Sequence, residues 1–229
     1  MRYAVYVALP SGHPLAAFGA AWLGRDALDG KPVPRPPLPG WADARLDAIT
    51  AEPRRYGFHA TLKPPFTLAQ GQREEDLLEA TDALARTRGP VPLDSLGIAS
   101  LGGFVALTLG ARSGAVDALA AACVAELDRF RAPPDAAELA RRRGAGLTAR
   151  QSELLRLWGY PFVMDEFRFH MTLTGRLERE ERDALMAALA PQAAPALSRR
   201  ISIADLCVFV EPGAGAPFTF RARFPLRGG

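Results

Sequence analysis

The sequence predicts an α+β protein built from two copies of one supersecondary unit. Phe58-His59-Ala60-Thr61-Leu62 and Phe169-His170-Met171-Thr172-Leu173 agree at four of five positions, and the same predicted order of helix, strand and strand follows each motif. An internal repeat of this kind indicates the overall architecture more strongly than any single predicted helix or strand does. We therefore expect a bilobal fold with pseudo-twofold symmetry, in which each lobe is an antiparallel sheet with helices outside and the two motif strands line a central cleft.

Apolar periodicity and chain breakers place the elements of the first half. A mainly apolar run predicts a strand over 2–9, and apolar residues at helical spacing predict a helix over 13–24. The prolines from Pro32 to Pro39 exclude regular structure. The later elements are a short helix near 41–50, the first motif strand, a helix near 73–87, and strands near 93–99 and 104–110 joined through Gly102-Gly103.

The second half repeats this order around an additional segment. Its elements are a helix near 113–130, the second motif strand, a helix near 178–190, and strands near 199–210 and 217–225. Within the additional segment, Ala136 to Arg143 and Thr148 to Trp158 have helical spacing, and we expect a cap or rim at the cleft. The expected division is a single domain over 1–229, a first lobe over 1–112, a second lobe over 113–229 and a helical insertion over 131–165.

Composition excludes several classes of protein. The chain is 48% hydrophobic and 23% charged, as in a soluble globular domain, and no segment has the roughly 20 apolar residues of a membrane span. The net charge is only +3, and the excess of arginine over lysine is typical of a GC-rich genome, so basicity does not argue for nucleic acid. Cys123 and Cys207 lie far apart and predict no zinc site. We expect a cytoplasmic protein in a reducing compartment.

Strand periodicity places the polar residues of each motif on one face. Side chains alternate along a strand, so His59 and Thr61 point together, as do His170, Thr172 and Thr174. If the two lobes face each other, the cleft holds two imidazoles, three hydroxyls and several cations. The same alternation adds Arg55, Gly57 and Lys63 to the first polar face, and Glu166 and Arg168 to the second.

This set of side chains suits displacement at phosphorus without a metal or cofactor. Opening a cyclic phosphate needs a base to deprotonate water and an acid to protonate the leaving alkoxide. Imidazole, with an ordinary pKa of about 6.5, serves as either. Hydroxyls and cations can bind the non-bridging oxygens. The third histidine, His13, begins a helix and is predicted to be a surface or capping residue. The predicted catalytic pair is His59 and His170, and the predicted phosphate ligands are Thr61, Thr172, Lys63, Arg168 and Thr174.

The paired His-x-Thr-Leu strands resemble the two-histidine (2H) phosphoesterase superfamily, which includes RNA 2′,3′-cyclic phosphodiesterases. Three longer runs are similar to one branch, an uncharacterised family whose genes are often found with bacterial phosphonate-utilisation operons: Arg55 to Lys63, Glu138 to Leu147 and Trp158 to Leu177. The resemblance implies a bilobal α+β fold, with His59 and His170 as the acid and base and Thr61 and Thr172 as phosphate ligands. The branch implies a small, ribose-derived cyclic phosphate or phosphodiester as the substrate.

Three other functions are open on the sequence. An RNA 2′,3′-cyclic phosphodiesterase needs a basic surface interleaved with aromatic residues, but only 8% of the residues are aromatic. A non-catalytic nucleotide-binding module would not need a symmetric acid and base. A metallohydrolase would have Glu166 as the only same-face carboxylate near either motif, which is a thin ligand set. The base of the pair, the choice between hydrolysis and transfer, and the oligomeric state are also open.

Overall fold

The computed structural model describes residues 1–134 and 146–228. The predicted helix from Ala136 to Arg143, and most of the run from Glu138 to Leu147, lie outside the described residues. The strands are β1 (Arg2–Val7), β2 (Ala60–Phe66), β3 (Val91–Pro92), β4 (Leu96–Leu101), β5 (Phe104–Leu109), β6 (His170–Arg176), β7 (Ser202–Ile203), β8 (Asp205–Glu211) and β9 (Thr219–Pro225). The helices are α1 (Pro14–Leu23), α2 (Asp43–Tyr56), α3 (Glu74–Arg86), α4 (Gly114–Glu126), α5 (Ala149–Trp158) and α6 (Arg179–Leu197). None of the helices described is long and apolar enough to cross a membrane.

Seven strands form one antiparallel sheet in the order β4-β5-β6-β2-β1-β8-β9, and β3 and β7 pair separately. The α+β fold predicted from the sequence is confirmed. The large sheet is symmetrical about its centre, because β5 and β4 flank β6 as β1 and β8 flank β2, while β9 extends one edge. The repeated unit therefore runs from a flanking strand through helices to a motif strand, and then through one helix to a further strand.

The two halves of the sequence exchange strands in this sheet. β4 and β5 follow the first motif along the chain but lie beside β6, which carries the second motif. β8 and β9 follow the second motif but lie on the side of β1 and β2. The helix after each motif strand, α3 or α6, carries the chain to the opposite half of the sheet. The halves of the sheet therefore do not coincide with residues 1–112 and 113–229.

Two helices extend past their predicted ends, and both contain proline. α2 runs through Pro53 to Tyr56, beyond the predicted 41–50. α6 runs through two prolines to Leu197, beyond the predicted 178–190. Proline inside a helix removes one backbone hydrogen bond, but the packing of Leu46 and Ile49 of α2 into the core offsets that cost. The extension of α2 matters for the site, because it ends directly before the first motif strand.

Apolar side chains cover both faces of β1. Its odd-numbered residues lie in the large core, which α1, α2, α3, α4 and α6 cover. On the other face, Ala4 and Tyr6 form a smaller cluster with Cys207, Phe209 and Phe218. The helices thus cover one face of the sheet and leave the centre of the other face for the cleft.

The two motif strands meet at the centre of the sheet through one paired position. Ala60 of β2 pairs with Met171 of β6, and both side chains are buried in the large core. Trp22 of α1 donates its indole N–H to the Leu173 carbonyl at 2.8 Å. This bond gives β6 a partner just beyond its pairing with β2.

Candidate active site

The pairing of β2 with β6 brings the two predicted catalytic histidines together. His59 immediately precedes β2, and His170 begins β6. One step from the central pair, antiparallel geometry places His59 opposite Thr172. One step in the other direction places Thr61 opposite His170. Because the central pair points into the core, these four side chains point to the face without helices.

A backbone carbonyl fixes the tautomer of His59. Its Nδ1 lies 2.8 Å from the Gly57 carbonyl oxygen, so Nδ1 carries the hydrogen, and Nε2 lies 3.1 Å from Thr61 Oγ1. Gly57 follows α2 with φ 78°, and a Cβ there would lie 2.6 Å from the Cβ of Ala27. Both the left-handed backbone and the close approach require glycine in the turn that aims His59.

His170 repeats this arrangement. Its Nδ1 lies 2.7 Å from the Arg168 carbonyl oxygen, again two residues upstream. Nε2 is therefore the nitrogen without a hydrogen in both neutral rings. The His170 ring contacts Phe104 of β5, with centroids 5.8 Å apart and planes inclined at 55°.

An aromatic wall surrounds His59. The Tyr6 ring is stacked on the imidazole, with centroids 3.8 Å apart and planes inclined at 30°. Tyr56 lies 6.1 Å from the imidazole, and Phe218 contacts both tyrosines at 5.9 and 5.1 Å. The sequence carries no signal for Tyr6 or Phe104, because the strand order that brings each of them to a histidine is not encoded locally.

Burial controls the protonation of both imidazoles. It lowers the pKa of His59 to about 4, although the Gly57 hydrogen bond opposes the shift, and the charge of His170 lowers that pKa further. Burial also lowers the pKa of His170, which the bond to the Arg168 carbonyl opposes. Since the charge of His170 acts on His59, the two rings disfavour a second proton when one is already protonated. With its pKa at about 4, His59 is neutral at pH 7.

The structure corrects two of the predicted phosphate ligands, Lys63 and Thr174, which occupy the same position in the two repeats. Lys63 is 2% exposed, and its ammonium donates to the Val124 carbonyl at 3.0 Å, with Asp128 Oδ1 at 3.5 Å. Thr174 is 1% exposed, and its hydroxyl accepts the Val105 N–H at 3.0 Å. Neither polar group is directed into the cleft.

Irregular strand pairing explains both corrections. Val5 and Tyr6 are consecutive in β1 but pair with residues two apart in β2, so β2 carries an extra residue at Leu62. Similarly, residues 104 and 106 of β5 pair with residues four apart in β6. Irregularities of this kind bend a strand and redirect its side chains. Alternation therefore holds for the histidine and threonine of each motif and fails two residues later.

Two of the remaining predicted polar residues, Arg168 and Glu166, lie shortly before His170 in the sequence. Arg168 is exposed, and its side chain stays a predicted phosphate ligand. The Glu166 carboxylate accepts from Gln151 Nε2 at 3.0 Å and does not orient an imidazole. Within residues 1–134 and 146–228, no group of three or more His, Cys, Asp or Glu residues is arranged to hold a metal ion.

A separate cavity of about 650 Å³ lies between α1 and α6, on the helical side of the fold. Its lining includes Phe18, Trp22 and Pro195, with Arg199 as its charged member. It offers no acid–base pair, so the cleft with the two histidines is the candidate active site.

Residues 61–219 match the family described as Protein of unknown function (DUF1045), and this match spans more than half of the chain. The chain belongs to this family. The matched range includes His170 and both motif threonines, and His59 precedes it by two residues.

Two curated relatives of this DUF1045 protein carry the name ribose 1,5-bisphosphate phosphokinase PhnN. The relative from Janthinobacterium sp. (strain Marseille) is 40% identical over 231 residues, which cover 99% of this chain and 51% of the relative. The relative from Laribacter hongkongensis (strain HLHK9) is 40% identical over 218 residues, which cover 95% of this chain and 50% of the relative. The chain spans about half the length of these relatives.

Two solved structures are similar to this DUF1045 protein at much lower identity. The crystal structure of TT0787 of Thermus thermophilus has 18% identity and a TM-score of 0.47, and the match covers 100% of this chain and 99% of that one. A crystal structure described as a phosphoesterase has 13% identity and a TM-score of 0.40, with 98% of each chain covered.

Proposed function

We propose that the protein is a metal-independent phosphoesterase of the 2H type, which opens a small cyclic phosphate or phosphodiester with His59 and His170. One observation carries the proposal. Each ring has its Nδ1 hydrogen-bonded to the carbonyl two residues upstream, so two Nε2 atoms face one cleft beside the Thr61 and Thr172 hydroxyls. Packing alone does not require the same tautomer-fixing contact twice at matching positions. An acid and a base that act on one phosphorus both need Nε2 held toward it, and the Nδ1 contact orients each ring in that way.

The surroundings of the two histidines indicate which one acts as the base and which as the acid. Burial lowers the pKa of His59 to about 4, so its neutral Nε2 accepts a proton from water as the water oxygen attacks phosphorus. The bond from phosphorus to the leaving oxygen breaks, and that oxygen takes the proton from His170 Nε2. The bound phosphate anion favours the protonated form of His170. Thr61 and Thr172 donate hydrogen bonds to the non-bridging oxygens, and the product is a phosphate monoester.

The relatives indicate the class of substrate. Both are named as phosphokinases of ribose 1,5-bisphosphate, and this chain matches about half of each. The 2H branch that the motifs resemble is linked to phosphonate utilisation. We therefore propose a ribose-derived cyclic phosphate of phosphonate metabolism as the substrate, with a phosphorylated ribose as the product.

The test is turnover in excess chelator by the wild type and by the His59→Ala and His170→Ala variants. The panel contains 2′,3′-cyclic nucleotides, 3′,5′-cyclic nucleotides, and ribose 1,2-cyclic phosphates with and without a 5-phosphate. We expect each substitution to lower kcat/KM by about 10²–10⁴-fold on the ribose compounds. His13→Asn is the matched control. His13 caps α1, since its Nδ1 accepts the Leu15 N–H at 3.1 Å, and asparagine is an equally good cap.

Each other outcome points to a different function. Full turnover in either alanine variant would refute the acid–base pair. Turnover that chelator abolishes would refute metal independence. Turnover restricted to 2′,3′-cyclic nucleotides would favour the RNA phosphodiesterase, and binding without turnover of any compound would favour the binding module.

A further inference from the structure

Two guanidinium groups lie at the His59 end of the cleft. The Arg55 Nη2 donates to the Tyr56 hydroxyl at 2.8 Å, and its guanidinium carbon lies 4.9 Å from the centre of that ring. The Arg2 guanidinium carbon lies 5.9 Å from the centre of Phe218, and its Nε donates to Glu211. One hydrogen bond and one aromatic ring thus orient each guanidinium. Its remaining N–H groups have no hydrogen bond to a described residue.

Aromatic rings connect these groups to His59. Tyr56 and Tyr6 lie 6.1 and 3.8 Å from the imidazole, centroid to centroid, and Phe218 contacts both tyrosines. The Arg55 carbonyl accepts the Phe218 N–H at 2.8 Å, which fixes the backbone of Arg55 to the segment before β9. The two arginines therefore border the same wall against which the imidazole packs.

This group of residues has more hydrogen-bond donors than partnered acceptors, and its cations outnumber its carboxylates. The Tyr6 hydroxyl and the Arg55 Nε are buried without a partner among the described residues, and Tyr6 is 0% exposed. Buried polar atoms without partners are uncommon, because each one costs free energy. Glu211 is a single buried carboxylate, and the bond to Arg2 lowers its pKa, with a smaller contribution from the charge of Arg55. Two guanidiniums against one carboxylate leave a net positive charge.

We propose that Arg55, Arg2, Tyr56 and Tyr6 form a second anion subsite, which binds a phosphate group that the substrate carries away from the reacting phosphorus. The proposal rests on the proposed phosphoesterase function and narrows its substrate to cyclic phosphates that bear a second phosphoryl group. Arginine presents a planar fork that matches phosphate oxygens, and phenol hydroxyls can donate to the same oxygens. A phosphate dianion supplies both the acceptors and the charge that the group lacks.

The first test measures substrate selectivity. The ratio of kcat/KM for ribose 1,2-cyclic phosphate with a 5-phosphate to kcat/KM without it is compared between the wild type and Arg55→Gln. We expect the ratio to fall roughly 10- to 100-fold, the usual effect of losing a hydrogen-bonded charge. Arg55→Lys keeps the positive charge but loses the planar fork of guanidinium N–H groups. We expect its ratio to lie between those of the wild type and Arg55→Gln. An unchanged ratio in Arg55→Gln overturns the proposal.

Arg129→Gln is the matched control for this comparison. Its guanidinium also lies over the ring that follows it in the sequence, 4.8 Å from the centre of Phe130, but Phe130 belongs to the large core on the helical side. We expect the selectivity ratio of Arg129→Gln to equal that of the wild type. An equal fall in both arginine variants would show a general effect of charge and would also overturn the subsite.

The second test is calorimetric titration with ribose 5-phosphate, which separates the subsite from catalysis. We expect the wild type and His170→Ala to bind it, and Arg55→Gln to bind at least about tenfold more weakly. Binding with this dependence on Arg55, but without turnover of any cyclic phosphate, would refute the phosphoesterase and support the subsite. Turnover of cyclic phosphates with equal binding in the wild type and Arg55→Gln would refute the subsite alone.

Discussion

The His59 and His170 halves of the cleft share a backbone arrangement and differ in their surroundings. In both halves the carbonyl two residues upstream holds Nδ1, at 2.8 and 2.7 Å. His59 is stacked on the fully buried Tyr6, whereas His170 has a tilted contact with Phe104 and follows the exposed Arg168 in sequence. Duplication supplies two equivalent positions. Burial then keeps the imidazole of His59, with its pKa at about 4, in the neutral form that the proposed base requires, and the proposal assigns the acid to His170.

The largest expected effect separates the acid from the base. On a cyclic phosphate with an alkoxide leaving group, we expect His170→Ala to lower kcat/KM by about 10²–10⁴-fold. On a p-nitrophenyl phosphodiester most of this loss should disappear, because p-nitrophenolate leaves without a proton. His59→Ala should lose activity on both substrates, because water must still be deprotonated. The measurement is kcat/KM for each variant on each substrate, and the reverse pattern would exchange the two roles.

The second largest effect tests the turn that exists in one half only. Gly57 supplies the carbonyl that holds His59 and has φ 78°, while its counterpart Arg168 is not among the described residues with positive φ. Gly57→Ala should lower kcat/KM by at least about tenfold and the free energy of unfolding by about 1–3 kcal/mol, because the Cβ would meet Ala27. Kinetics and urea unfolding measure both quantities.

Gly71→Ala is the control for this turn. Gly71 has φ 81°, but nothing lies within 4 Å of a Cβ added there, and the residue is exposed in the loop between β2 and α3. Gly71→Ala should lower the free energy of unfolding by the part that comes from the positive φ alone, and it should keep full activity. If Gly57→Ala is no less active than Gly71→Ala, the glycine turn does not aim His59, and the two halves are more alike than their backbones suggest.

Regular alternation along a strand is enough to predict which residues accompany each histidine, since the threonine two positions on points the same way. The same rule fails at Lys63 and Thr174. Both lie where the pairing with β1 or β5 is irregular, and that pairing depends on residues far away in the sequence. The exchange of strands cannot be predicted from the sequence either, because the order of elements along the chain is the same whichever motif strand β4 and β5 join. The contact of Tyr6 with His59 cannot be predicted for the same reason, since it depends on the order of strands in the sheet.

A smaller effect concerns the stacked ring of Tyr6. Tyr6→Leu should admit water to His59, and the pKa of His59 should then rise from about 4 toward its ordinary 6.5, because burial is the main cause of its shift. A neutral base is needed, so the low-pH limb of kcat/KM should move to higher pH. Tyr6→Phe keeps the ring and should leave the limb in place. The pH–rate profile measures this, and an unmoved limb in Tyr6→Leu would assign the enclosure of His59 to other residues.

The smallest expected effect on catalysis belongs to Lys63→Met, which tests whether β2 turns out of the cleft after Thr61. The Lys63 ammonium bonds on the core side, so kcat/KM should change by less than about twofold. The free energy of unfolding should fall by about 1–2 kcal/mol, since the Val124 carbonyl loses its donor while Asp128 keeps Arg131 at 2.7 Å.

The pH dependence of stability gives Lys63→Met a second readout. Burial lowers the pKa of Lys63 to about 8, below its ordinary 10.5. Between these values the unfolded chain holds a proton that the folded protein has lost, so wild-type stability should rise with pH relative to the variant. Urea unfolding of both proteins at about pH 7.5 and about pH 10 measures this difference. A loss of activity of about tenfold or more would instead place Lys63 on the phosphate, and the two motif strands would no longer leave the cleft at the same point.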